Sequence, residues 1–253
     1  MKSLPKKKTI SIDGKTVEYI TSGTGSPVVV LVNGAGGPIE GWFRVFSGLE
    51  KLSTIFAYNR AGIGKSSKPT EPQTGSVLVE TLRASLLNAG LKPPYVLVGH
   101  SLGGLIANLF ARTYPDTVAG VVFLDATAPE DLASMAAYES SLQRFLRRLL
   151  ERVSGKDPLG EVAHDHYTVS LIERAPAFPN IPVVVVSGGK PAMSWLTPAA
   201  ALVARAENQR RLAQLSPRGK HVVASKSGHF PQFSQPEIVI EAVRSVLQSR
   251  EIS

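Results

Sequence analysis

Residues 95–104, YVLVGHSLGG, decide how the chain is read. Tyr95 to Val98 is a short apolar run rich in β-branched residues, as suits a buried strand, and from Leu102 to Tyr114 the apolar spacing becomes helical. Gly99-His100-Ser101-Leu102-Gly103 must therefore turn a strand sharply into a helix. A serine at such a turn has strained backbone angles, and crowding around it requires small neighbours, which Gly99 and Gly103 provide. The turn lifts the Ser101 hydroxyl clear of the sheet and sets it at a helix N-terminus, where free amides and the helix dipole favour developing negative charge. The pattern G-x-S-x-G also occurs by chance, as a glycine-rich turn with an idle serine. Its weight here comes from the strand before it and the helix after it.

The same grammar extends in both directions. Lys8 to Ile12 and Thr16 to Thr21 alternate apolar and polar residues around Asp13-Gly14, which reads as a hairpin at a sheet edge. Continuous apolar runs follow at Pro27 to Val32, Thr54 to Tyr58, Val118 to Leu124 and Pro182 to Val186, with a weaker one at His221 to Ala224. Such runs suit strands covered on both faces of a parallel sheet. Helical spacing occupies Val77 to Asn88, Pro198 to Leu215 and Pro236 to Ser249. This alternation predicts right-handed βαβ crossovers and a doubly wound α/β sheet. From Pro129 to about Phe178 no strand is evident. Leu142, Phe145, Leu146, Leu149, Leu150 and Val153 sit at helical spacing there, opposite Arg144, Arg147, Arg148 and Arg152. This stretch is expected to be a helical cap over the carboxyl edge of the sheet, inserted into one domain spanning residues 1–253. A basic amphipathic helix can also lie on a membrane surface, but packing the apolar stripe inward is the commoner use.

A serine needs a base to take its proton and a third group to orient that base. The chain has five histidines and no cysteine, which excludes thiolate nucleophiles and disulfides. His100 lies inside the turn and should pack away from the reacting hydroxyl. His164 and His166 flank Asp165 in a weak metal-like pattern, and His221 opens a strand. His229, in Ser227-Gly228-His229-Phe230, falls in a loop between the last strand and the last helix, at the carboxyl edge where such sheets present chemistry. It is the expected base, against the alternative of an ordinary surface-loop histidine. Asp125 closes the run Val121 to Leu124 at the same edge, where a carboxylate can hold an imidazole in the correct tautomer. Asp131, Asp157, Asp165 and Glu173 are the alternatives, all in the expected cap. An oxyanion hole needs two backbone N–H groups, one after the nucleophile and one from a loop after an earlier strand. These map to Leu102 and to Ala35 in Asn33-Gly34-Ala35-Gly36-Gly37, although a plain tight turn would read similarly.

With these pieces placed, the chain resembles the α/β-hydrolase superfamily from Ile10 to Leu247. Beyond the serine turn, Tyr58-Asn59-Arg60-Ala61-Gly62-Ile63-Gly64-Lys65-Ser66 is similar to the family's D-x-R-G-x-G-x-S loop, and Ser227-Gly228-His229 to its histidine loop. The resemblance implies an eight-stranded, mostly parallel sheet, a helical cap and no cofactor or metal. Members usually carry the acid after the strand that follows the cap, yet no Asp or Glu occurs between Glu173 and Glu207. Some branches place it at the end of the preceding strand, which favours Asp125. Two further departures are Asn33, where many members have His, and Asn59, where the loop usually has Asp. Serine at the turn argues against branches with a carboxylate nucleophile, leaving acyl chemistry. A carboxylic ester hydrolase with the set Ser101, Asp125 and His229 is the expectation, with lactonase, thioesterase, carbon–carbon hydrolase and hydroxynitrile lyase sharing the site plan.

Hydrophobic residues make up 43% and charged residues 19% of the 253, ordinary globular usage. Lys2, Lys6, Lys7 and Lys8 are not followed by an apolar leader segment, and no run reaches membrane-spanning length, so a cytoplasmic protein without membrane insertion is expected. The net charge of +8 favours anionic partners only weakly, since no basic segment is interleaved with aromatics as in nucleic-acid binders. The expected partner is a small-molecule acyl substrate. Phe145, Tyr138 and Trp195 are plausible residues to line its pocket. Two other readings compete. Asn59 to Ser66 approximates a phosphate-binding G-x-x-x-x-G-K-S loop, lacking its first glycine. The fold could also serve a small-molecule receptor that binds under the cap without turnover.

Overall fold

The computed structural model describes residues 4–138, 159–190 and 198–249. Eight strands form one sheet: β1 (Lys8–Ile12), β2 (Lys15–Ser22), β3 (Val28–Val32), β4 (Ile55–Tyr58), β5 (Tyr95–His100), β6 (Val118–Leu124), β7 (Val183–Gly188) and β8 (Gly219–Ala224). Their order across the sheet is β1-β2-β4-β3-β5-β6-β7-β8. Strands β1 and β2 pair antiparallel, β2 joins β4 antiparallel, and every later pairing is parallel. The opening hairpin turns through Asp13 at φ 48° and Gly14 at φ 77°, the positive pair that a tight hairpin of the natural strand twist requires. This is the α/β-hydrolase architecture.

The continuous apolar runs are explained by two buried faces. In β3, Val28, Val30 and Val32 enter one core while Val29 and Leu31 enter the other. Tyr95 and Leu97 oppose Val96 and Val98 in β5, and Val183 and Val185 oppose Val184 and Val186 in β7. One layer is covered by α2 (Gly75–Asn88) and α3 (Leu102–Thr113), through residues such as Leu82, Leu86, Ile106 and Phe110. The other is covered by α1 (Phe43–Leu49) and the last helix (Pro236–Gln248), through Phe46, Leu49, Val239 and Val243. Burial at roughly 25 cal/mol per Å² of apolar surface makes this sandwich the main source of stability. Helix α2 starts where Thr74 accepts a hydrogen bond from the Val77 amide, as a capping threonine should.

Strand and helix positions agree with the sequence to within a few residues, with two differences of physical interest. Helix α1 was not legible because Gly41 and Gly48 break the spacing over a segment of two turns. The signal of β8 is weak because it is the sheet edge, with Val222 and Val223 exposed. Between β6 and β7 the described chain forms α4 (Pro129–Tyr138) and α5 (Asp165–Arg174), and after β7 comes α6 (Ala199–Ala213). The apolar stripe Leu142 to Val153, with Phe145, lies outside the described residues, as do Trp195 and the side chain of Tyr138. No helix among the described residues is long and apolar enough to cross a membrane.

Candidate active site

The site begins with the register of β5 and β6. His100 pairs with Leu124, so the next residues, Ser101 and Asp125, leave adjacent strands side by side at the carboxyl edge. Both turn sharply there. Ser101 adopts φ 51°, ψ −122°, a region that costs a side-chain-bearing residue energy, and Asp125 sits at φ 39°. The Ser101 carbonyl accepts from the amides of Gly104 and Thr127, which pins the turn between α3 and the segment after β6. The glycines are required by close approach. A Cβ at Gly99 would lie 2.5 Å from the Gly103 carbonyl oxygen, and one at Gly103 would lie 2.2 Å from that of Val32. Ser101 occupies the N-cap position of α3, yet its side chain makes no capping hydrogen bond. The hydroxyl is thus not spent on the helix.

His229 reaches the same edge from the loop after β8. Its Nδ1 lies 2.6 Å from Asp125 Oδ2, with the Asp125 side chain buried and that of His229 partly exposed. Asp125 Oδ1 accepts from the Gly188 amide at 3.0 Å, and its Oδ2 and carbonyl oxygen accept from Arg205 Nη2 at 3.1 and 2.9 Å. Burial alone would raise the Asp125 pKa, but the hydrogen bond with His229, the Arg205 cation and the Gly188 amide together hold it down at about 2. The carboxylate is therefore ionised at neutral pH. Asp131, the nearest alternative acid, is committed elsewhere: its oxygens take the Ala128 amide, Arg205 and Asn208.

His100 does pack, and it also braces the loop. Its Nε2 lies 2.8 Å from the His229 carbonyl oxygen, and its ring stacks at a tilt on those of His229 and Phe230. Burial pushes its pKa down to about 4, so the ring is neutral and donates that hydrogen bond. His221 pairs with Ser187 Oγ at 2.8 Å. Among the described residues no group of three or more His, Asp or Glu side chains is arranged to hold a metal ion.

The loop after β3 lies against the serine. A Cβ at Gly34 would sit 3.0 Å from Ser101 Cβ, which places Ala35 beside the turn, while Leu102 is the first residue of α3. Arg60 Nη1 donates to the Asn33 carbonyl at 2.7 Å and Nη2 to that of Gly34 at 2.6 Å. Asn33, at the position where many members of the family have His, donates to the Pro38 carbonyl at 3.0 Å and closes the loop. Asn59 also has a local explanation. Its Oδ1 accepts from the Ile39 amide and its Nδ2 donates at 2.7 Å to the buried Glu18, which a carboxylate at position 59 could not do. Because Glu18 also takes the Lys65 amide, and no helix follows Ser66 before Gly75, this loop is not built as a phosphate cradle. Arg60 was read only as part of a loop motif. Arg205 and Glu161, which touches Arg60, carried no sequence signal at all, each being one charged residue on a segment rich in them.

Residues 27–157 match the family described as alpha/beta hydrolase fold. YqjL of Bacillus subtilis (strain 168) is 29% identical, with 97% of this chain and 94% of that protein aligned. Among solved structures, a lipase (lip1) of Acinetobacter baumannii AYE described as putative superposes with a TM-score of 0.70 at 19% identity, covering 98% of this chain and 92% of the other. A thermophilic esterase of Thermogutta terrifontis superposes with a TM-score of 0.68 at 22% identity, covering 97% and 99%. At such identities the structural likeness speaks for the fold. With the sheet order, the strained serine turn and the match over more than half its length, the chain belongs to the alpha/beta hydrolase family.

Proposed function

We propose that the protein is a serine hydrolase that cleaves an ester or related acyl bond of a small molecule through an acyl-enzyme. One observation carries this reading: Ser101, with its hydroxyl uncommitted at a strained turn, leaves the sheet next to Asp125, which is hydrogen-bonded to His229 at 2.6 Å. In the proposed mechanism His229 takes the Ser101 proton through Nε2 while Asp125 holds Nδ1–H, fixing the tautomer and stabilising the imidazolium. The hydroxyl oxygen attacks the acyl carbon. The amides of Leu102 and Ala35 receive the negative oxygen, and His229 returns the proton to the departing alkoxide. Water, deprotonated by His229, then releases the acid and restores Ser101. Among the described residues no hydrogen bond joins Ser101 Oγ to His229, and in sites of this kind that contact tightens when substrate binds. Residues 129–178 would act as the cap over this edge, within one domain. The lipase and esterase among the structural relatives agree with acyl chemistry.

The test is turnover of a series of p-nitrophenyl esters from acetate to decanoate by wild-type protein and Ser101→Ala. The reading expects chain-length-dependent hydrolysis in the wild type and a fall in kcat of about 10⁴-fold or more in a variant with the wild-type circular dichroism spectrum. Equal rates for the two proteins would remove Ser101 as nucleophile.

A further inference from the structure

Arg60 and Glu161 form a pair with side chains only 3% and 1% exposed, directly behind the loop that follows β3. Glu161 belongs to the β6–β7 connection, 101 residues further along the chain from Arg60, just before α5. Arg60 Nε donates to Glu161 Oε1 at 2.5 Å and Nη2 to Oε2 at 3.0 Å. Two further N–H groups of the guanidinium donate to the carbonyls of Asn33 and Gly34. Glu161 Oε2 also accepts from the Gly36 amide at 2.8 Å. One carboxylate thus grips both the arginine that holds this loop and the loop itself.

The consequence follows from peptide geometry. In a planar trans peptide the carbonyl and the following N–H point in opposite directions. With the Gly34 carbonyl turned onto Arg60, the N–H of Ala35 is turned to the opposite side, away from the ion pair. The Gly36 amide is taken by Glu161 and the Gly37 amide by the Gly34 carbonyl. Among the described residues none accepts from the Ala35 N–H, which is left for a ligand. Such a donor stabilises a developing oxyanion only if its direction is fixed before the reaction, since any reorganisation is added to the barrier.

We infer that Glu161 is a positioning residue for acyl transfer, a carboxylate from the β6–β7 connection that fixes the direction of the Ala35 amide through Arg60 and the Gly36 amide. The inference rests on the proposed serine-hydrolase reading. Through Glu161 the β6–β7 connection supplies the strut of the oxyanion loop. Arg60 keeps its charge when buried because Glu161 offsets the cost of burial, so the two residues work as a unit.

The test compares wild type, Ser101→Ala, Glu161→Gln and Glu161→Asp on a p-nitrophenyl ester and on its thionoester, in which sulfur replaces the carbonyl oxygen. An oxyanion site preorganised for oxygen favours the oxo substrate, and loss of that order shrinks the oxo-to-thiono rate ratio. A glutamine has one oxygen for these two places: set on Arg60 Nε it turns its N–H₂ group toward Arg60 Nη2 and the Gly36 amide, and set on Nη2 and Gly36 it turns that group toward Nε, so in either rotamer two donors face one another. Glu161→Gln is expected to lower kcat on the oxo ester about 10- to 100-fold, with KM within about threefold and a reduced oxo-to-thiono ratio. Glu161→Asp keeps the charge beside Arg60 but is one methylene too short to hold both partners, and should show the same signature at smaller amplitude. It carries the test alone if the glutamine variant does not fold. Ser101-dependent turnover with kcat and the ratio unchanged in a folded Glu161 variant would overturn the assignment while leaving the hydrolase reading intact. A loss of kcat with an unchanged ratio would also overturn it. Wild-type turnover equal to that of Ser101→Ala would overturn both.

Discussion

Asp125 is the residue on which the site balances. Its carboxylate is buried, accepts from Gly188 and Arg205, and with a pKa of about 2 stays ionised beside His229 at neutral pH. Asp125→Asn keeps the volume but allows the imidazole its wrong tautomer. Steady-state kinetics on an ester substrate should show kcat lower by about 10⁴-fold with KM little changed. A small loss would point to another carboxylate. His100 makes a different prediction, in stability. Its folded pKa of about 4 lies below the unfolded value near 6.5, so between these limits the unfolded chain binds the extra proton and stability rises with pH. The contribution is complete above about pH 6.5 and is lost as pH falls toward 4. Urea unfolding of the wild type should therefore lose about 2 kcal/mol from this residue between pH 8 and pH 5, and His100→Gln should flatten that slope. Ser101, His229, Asp125 and His100 were all legible in the sequence because each sits at the end of a strand or loop with its own local signature. Arg205 and Glu161 were not, because their roles arise only when distant segments meet.

At the scale of elements, the junction of β3, β5 and α3 is what creates the serine turn. Helix α3 approaches the end of β3 so closely that Gly103 has no room for a methyl group against the Val32 carbonyl. Gly103→Ala should destabilise the protein by about 3 kcal/mol, read from urea midpoints, and should disturb the site even in molecules that remain folded. Ser101→Gly tests the same junction with the opposite sign. Glycine adopts φ 51°, ψ −122° without strain, so the variant should unfold at a higher temperature by a few degrees while losing hydrolysis altogether. A lower melting temperature would show that the turn holds no strain. The elements most plainly written in the sequence are those buried on two faces, such as β3 and β5, whose side chains alternate between the two cores without interrupting the apolar run. The short α1, with Gly48 inside it, and the exposed edge strand β8 have weaker patterns because less of their surface must be apolar.

For the whole molecule, the fold was legible because strand and helix alternate from the opening hairpin to the last helix, and that alternation admits few topologies. The pairing of distant elements brings Ser101, Asp125 and His229 to one edge across 129 residues of chain. In the proposed reading the substrate is selected by side chains of residues 129–178, whose sequence spacing speaks of packing rather than chemistry, and for that reason acyl chain length could not be read from it. The central claim is an activated serine at this edge, and it can be tested without knowing the substrate. Wild-type protein is treated with a fluorophosphonate probe and the modified residue located by mass spectrometry, beside His229→Ala. Stoichiometric labelling at Ser101 that disappears in the His229→Ala protein is the result this account predicts. Folded wild-type protein that takes up no label at Ser101, or labelling that does not depend on His229, would contradict it.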